Sequence, residues 1–267
     1  MNRMGFIGAG RMASAMVGGL LAKGLYAPEA LACTCGSDPT GRELAQRTGI
    51  TYFAEAQAML AETDALVLAC KPQQLDALDT SYTAHTTGKL IVSILAGTTL
   101  ERLQARFPKA RNLVRAMPNT PGQVGAGITA FAPLHPLEPE DRAIVEGLLG
   151  ALGEALELPE AQLDAVTAIS GSGPAYVFEF TAALREAAVG LDLAPDVADR
   201  LARQTVIGAA RLLEAAGTDP EELRNAVTSK GGTTEAALQS MTQAELRKLL
   251  AEATRAAHRR SLELAQA

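Results

Sequence analysis

The chain has 267 residues, 48% of them hydrophobic, and a formal net charge of −6. That length is large for one core and suits two modest domains of a soluble globular protein. With no long basic run and no apolar stretch of membrane-spanning length, neither nucleic acid nor a membrane is expected as a partner.

The first segment goes straight into an apolar strand, Met4–Ile7, leaving no room for a signal peptide. Further strands are expected at Ala30–Cys35, Ala65–Ala69, Leu90–Ile94 and Arg111–Arg115, and near Gly127–Phe131. Helices are expected at Arg11–Lys23, Gly41–Thr48, Phe53–Glu62, Gln73–Asp79, Thr99–Phe107 and Pro139–Leu149. The strands are near-continuous runs of Ala, Val, Ile and Leu, as parallel strands covered on both faces require. Cys33, Cys35 and Cys70 are too few for a disulfide framework, so a reducing, cytoplasmic setting is expected. Cys33-x-Cys35 has no His or acidic cluster to complete a ligand set, so no metal is expected.

After about Leu158 the pattern becomes helical to the end. The expected division is therefore an α/β dinucleotide-binding domain over 1–158 and an all-α domain over 159–267. Pro174–Leu191 and Asp196–Ala216 are apolar around more of their circumference than one neighbouring layer needs. Dimerisation through this half is the physical expectation.

Three groups of residues carry the chemistry. Gly8-Ala9-Gly10-Arg11-Met12-Ala13 has the G-x-G-x-x-A spacing of a dinucleotide loop between a strand and a helix. Gly8 permits the tight turn, Gly10 lets a pyrophosphate approach the backbone, and Ala13 lets the helix pack closely. Lys71-Pro72, Ala96-Gly97 and Asn119 follow later strands, where such a fold places cofactor contacts. The tip of the second strand carries no carboxylate, which leaves space for a 2′-phosphate with Ser37 and Arg42 as donors. NADPH is thus the expected cofactor, with NADH possible because Asp38 follows in the turn. The third group is Ser229-Lys-Gly231-Gly232-Thr233-Thr234, a glycine turn opening a helix. Its unpaired N–H groups can bind a carboxylate, and its threonines can cap the helix or bond a ligand; both readings stand on the residues alone. His85, His135 and His258 read as surface residues, and no hydrolase, zinc-protease or Walker pattern occurs.

Together these motifs resemble the pyrroline-5-carboxylate reductase family. The resemblance runs over Gly5–Gly10, Lys71-Pro72, Val92–Gly97, Arg115-Ala-Met-Pro-Asn-Thr-Pro121, Ser170-Gly-Ser-Gly-Pro-Ala-Tyr-Val-Phe178 and Thr228–Ala237. One departure is Lys230, where the family usually has proline. The resemblance implies a Rossmann-type N-terminal domain, a helical dimerisation domain, and a site built from both subunits of a homodimer or a larger ring of dimers. It also implies reduction of L-1-pyrroline-5-carboxylate to L-proline with NAD(P)H. Thr234 is the implied catalytic residue, bonding the imine nitrogen. Backbone N–H groups from Gly231 to Thr234, with Ser229, would hold the carboxylate, and Lys71, Ala96 and Asn119 would shape the nicotinamide pocket. A 3-hydroxyacid dehydrogenase would want a lysine in Pro174–Leu191, which has only Arg185 as a cation. A non-catalytic NAD(P)-binding regulator would be expected to lose the Gly-Gly-Thr-Thr loop.

Overall fold

The computed structural model describes residues 3–36, 38–75, 78 and 82–266. By packing, the chain forms two units, Met1–Ser172 together with Ala257–Ala267, and Gly173–Ala256.

The first unit alternates β1 (Met4–Ile7), α1 (Arg11–Ala22), β2 (Leu31–Thr34), α2 (Thr40–Thr48), β3 (Thr51–Tyr52), α3 (Ala56–Ala61) and β4 (Ala65–Leu68). It continues with α4 (Tyr82–His85), β5 (Leu90–Ser93), α5 (Leu100–Arg106), β6 (Asn112–Met117), β7 (Gly127–Pro133), α6 (Pro139–Gly150), β8 (Gly153–Glu157) and α7 (Leu163–Val166). The strands form one sheet in the order β3-β2-β1-β4-β5-β6-β7-β8. Strand β1 pairs in parallel with both β2 and β4. Chain order therefore reverses at β1, and the loops that follow β1 and β4 lie side by side at a topological switch point. Strands β6 and β7 are antiparallel. Their link, residues 118–126, is shorter than the dozen or more residues that a parallel crossover needs.

Both sheet faces are covered, and successive residues divide between two cores. Phe6, Val67 and Val92 pack with Met16, Val17, Leu20 and Leu148. Ile7, Leu66, Leu68 and Ile91 pack with Met59, Leu60, Leu103 and Phe107. The expected strands occur with end shifts of one or two residues, whereas β3 and β8 were not anticipated. Strand β3 has only two residues, and β8 is a polar Gly-Glu-Ala-Leu-Glu segment at the sheet edge, so neither carries an apolar run. The helix expected at Phe53–Glu62 is confined to Ala56–Ala61. In place of the start of the helix expected at Gln73–Asp79 there is a 3-10 turn, Pro72–Gln74; residues 76, 77 and 79 lie outside the described residues. The first unit extends past the expected boundary at 158/159 because Leu163 packs into the second core and Asp164 pairs with Arg115 of β6.

The second unit is helical: α8 (Gly173–Gly190), α9 (Pro195–Ala216), α10 (Pro220–Ala226), α11 (Thr233–Gln243) and the start of α12 (Leu246–Gln266). Ala198 and Ala202 are its buried hydrophobic residues among those described, while Phe178 is 66% and Leu191 77% exposed. No helix among the described residues is long and apolar enough to cross a membrane.

Candidate active site

The loop after β1 is shaped by two glycines with different reasons to be glycine. Gly8 has φ +100°, and a Cβ there would lie 2.5 Å from the carbonyl oxygen of Ala69. Its N–H donates to the Thr34 carbonyl at 2.8 Å, so the protein itself forbids a side chain. Gly10 caps α1 with φ −69° and ψ −175°, extended backbone open to any residue, and a Cβ would meet nothing within 4 Å. Internal packing therefore does not account for glycine at position 10, and the space beside it is open to a ligand's approach.

Two clefts flank this loop. One, of about 500 Å³, is lined by Ala9, Gly10, Arg11, Ser14, Thr40 and Arg47, among others. Its floor is the N-terminus of α1, which has neither a side-chain cap nor an acidic residue in its first turn. The first-turn N–H groups have no intrahelical acceptor, and Arg11 stands beside them, a combination that favours an anion; a cation at that end is unfavourable for the helix unless an anion accompanies it. The second cleft, of about 280 Å³, is lined by residues of the β1, β2 and β4 tips, including Gly8, Thr34, Cys35, Asp38 and Cys70. A pyrophosphate on α1 and an adenosine beside the β2 tip fit these features. Met12 is half-buried in the first turn of α1.

The β2 tip is internally bonded. Asp38 accepts the Thr40 N–H at 2.9 Å and also the Thr40 hydroxyl. These bonds, with smaller help from Cys35 and the charge of Lys71, hold its carboxyl below the usual range. The Arg42 guanidinium lies 5.5 Å above the Tyr52 ring. Ser37 lies outside the described residues. Burial, with Cys35 adding to it, pushes the Cys33 thiol up to about 11, and burial raises Cys70.

At the remaining strand tips, Lys71 is exposed, and its N–H donates to the Gln74 side chain at 2.9 Å, with Pro72 opening the 3-10 turn. Ala96 is exposed, and Gly97 has φ +71° with the Leu264 backbone 3.2 Å from where a Cβ would stand. The Asn119 Oδ1 accepts the Ile128 N–H at 3.0 Å, tying the turn after β6 to β7. A network of charged and polar side chains that the sequence does not reveal links β6 to α7 and α12. Arg115 donates to Asp164 at 3.0 Å and to Glu160 at 3.3 Å, and the Ser261 hydroxyl donates to Asp164 at 2.7 Å. Removing one member of such a buried pair costs about 3–5 kcal/mol, because the other charge is left uncompensated. Arg115 opens the Arg115–Pro121 motif, but nothing local points to partners so distant in sequence. Thr40 and Arg47 were missed as well; a cation in the last turn of a helix is ordinary.

The Gly-Gly-Thr-Thr loop lies in the helical unit. The Gly232 N–H donates to the Ser229 carbonyl at 3.0 Å, and Gly231 between them has φ +73°. The Gly231 N–H donates to the Glu235 carboxylate at 2.7 Å. Two of the four N–H groups expected to hold a ligand are thus committed within the chain. Those of Thr233 and Thr234 open the first turn of α11, where no intrahelical acceptor exists, and Gly232 caps the helix without a side chain. Thr228 bonds back to the Arg224 carbonyl at 2.6 Å. Among the described residues, neither the Ser229 nor the half-buried Thr234 hydroxyl donates to another protein group. Neither threonine side chain caps the helix. The arrangement offers two N–H donors and two hydroxyls for a small anion with an adjacent polar atom.

Residues 160–264 match the family model described as pyrroline-5-carboxylate reductase dimerisation. Residues 3–97 match that of NADP oxidoreductase, coenzyme F420-dependent. The chain is 40% identical to the pyrroline-5-carboxylate reductase of Synechocystis sp. over 98% of both sequences. It is similar to the solved pyrroline-5-carboxylate reductase from Coxiella burnetii, with 34% identity, 99% and 98% of the two chains covered, and a TM-score of 0.92. The pyrroline carboxylate reductase of Plasmodium falciparum with NADP bound gives 26% identity, 99% and 98% coverage, and a TM-score of 0.85.

Proposed function

The chain belongs to the pyrroline-5-carboxylate reductase family, and from that premise we propose that it reduces L-1-pyrroline-5-carboxylate to L-proline with NADPH, the last step of proline biosynthesis. The observation that carries this reading is the 40% identity over 98% of both sequences, which takes in the dinucleotide loop and the Gly-Gly-Thr-Thr loop alike.

Bound NADPH supplies the hydride that reduces the C=N bond. The protein's share is binding, orientation and one proton route, because a protonated cyclic imine is already electrophilic. In this reading the N–H groups of Thr233 and Thr234, with the Ser229 hydroxyl, hold the substrate carboxylate, and Gly231 and Gly232 shape the turn that presents them. The Thr234 hydroxyl bonds the ring nitrogen and is the catalytic residue. Gly8, Ala9, Gly10, Arg11 and Met12 receive the pyrophosphate. Lys71, Pro72, Ala96, Gly97 and Asn119 line the nicotinamide side, and Ser37 the 2′-phosphate.

NADPH is preferred over NADH, supported by a β2 tip without a carboxylate and by an Asp38 side chain engaged with Thr40. The working protein is a cytoplasmic homodimer joined through α8 and α9, supported by the match to a dimerisation model and by the exposed Phe178, Phe180, Leu201 and Ile207. Following nucleotide absorbance with pyrroline-5-carboxylate and each nucleotide in turn tests this. Turnover with higher kcat/KM for NADPH is expected; no turnover with either nucleotide overturns the function, and higher kcat/KM for NADH overturns the cofactor assignment.

A further inference from the structure

The loop before α11 is a four-residue turn from Ser229 to Gly232, closed by the Gly232 N–H on the Ser229 carbonyl at 3.0 Å. Gly231 takes its third position at φ +73°. In turns with a positive φ there, proline is favoured at the second position because its ring pre-sets φ near −65°. That position is Lys230, which restricts nothing, and its N–H has no described acceptor. The Gly231 N–H points to the Glu235 carboxylate, 2.7 Å away across the helix start. A flexible second residue and a side-chain tie on the third meet in one turn.

We propose that Glu235 is a positioning residue for the substrate carboxylate: by holding the Gly231 N–H it supplies the backbone constraint that Lys230 does not, and so aims the Thr233 and Thr234 N–H groups. This rests on the reading of that loop as the carboxylate site. Glu235 touches neither the substrate nor the nucleotide in this scheme. It acts through the turn, and its effect falls on substrates that carry a carboxylate.

The test uses the full chain and four variants. E235A should raise KM for pyrroline-5-carboxylate by about five- to thirtyfold, the range of one hydrogen bond of about 1–2 kcal/mol, with kcat changed less than twofold and NADPH affinity unchanged. E235Q keeps an oxygen acceptor for Gly231 and should restore KM to within about twofold of the parent. K230P should leave the parent nearly unchanged, and K230P/E235A should recover most of the lost affinity, because proline fixes the same backbone by another route. Turnover of 1-pyrroline, the ring without its carboxylate, should be the same in parent and E235A. If E235A does not fold, E235D, one methylene too short for the tie, takes its place with the same expectation.

A parent enzyme that reduces pyrroline-5-carboxylate while E235A keeps its KM overturns the role of Glu235 and leaves the function standing. So does an E235A defect that K230P fails to repair, or one equally large for 1-pyrroline. A parent that does not turn over pyrroline-5-carboxylate overturns the functional reading itself.

Discussion

Two glycine loops open two helices in this molecule, and they are held by different means. The loop before α1 is gripped by the sheet: Gly8 bonds to the β2 tip, and its Cα is pressed against the backbone after β4. The loop before α11 is held by its own neighbours, Ser229 and Glu235, in a unit whose buried hydrophobic residues among those described are two alanines. An α/β unit with both sheet faces covered has its core within one chain. The helical unit leaves Phe178 and Phe180 at 66% and 50% exposure, and in the proposed dimer a partner covers them. The first loop is held by tertiary packing and the second by local bonds.

The sharpest way to break this contrast is at Gly8 and Gly10. Gly8→Ala should destabilise the fold by about 3–5 kcal/mol, since it combines positive-φ strain with a backbone clash, and a lowered Tm or denaturation midpoint would show it. Gly10→Val should melt within a few degrees of the parent yet weaken NADPH binding by roughly a hundredfold or more, because its side chain fills space needed by phosphate. A Gly10→Val protein that binds NADPH normally by fluorescence titration would remove the assignment of this loop.

Next comes assembly. Phe178→Asp places a charge on the apolar face of α8 and should weaken the dimer by about thirtyfold or more, the scale of a buried aromatic contact. Sedimentation at micromolar concentration should then show monomer while the α/β unit keeps its NADPH affinity. An unchanged dimer would move the interface elsewhere.

The last contrast concerns Thr234. Thr234→Val keeps the shape and removes one charge-assisted hydrogen bond, so kcat/KM should fall about ten- to a hundredfold with NADPH affinity unchanged. The structure shows no Thr234 cap on α11, so Tm should hardly move. A variant that melts early and turns over normally would mean that Thr234 is structural and the proton route lies elsewhere.

Much of the fold was legible because its signals are local. Strands β1, β4 and β5 read as mostly apolar runs since successive residues enter opposite cores, Phe6 one and Ile7 the other. Strand β8 was illegible because an edge strand needs no such run. Gly8 and Gly10 were readable as a pair by spacing, but their separate reasons for being glycine were not: one depends on Ala69, far along the chain, and the other on empty space. In the second loop, the glycines and threonines announced a helix start, while the commitment of the Gly231 and Gly232 N–H groups to Glu235 and Ser229 became visible only in three dimensions.

The sequence by itself determined a dinucleotide-type α/β half, a helical half with surplus apolar surface, and the two glycine loops, because periodicity, φ demand and composition act over a few residues. Tertiary structure alone decided the antiparallel turn at β6 and β7, the end of the first unit beyond Leu158, and the buried Arg115–Asp164–Ser261 network, whose bonds span 49 and 97 residues. Contacts of that reach depend on where the whole chain closes on itself. A buried charge then takes whichever partner the packing brings to it, since leaving it alone would cost more than any local preference can offset.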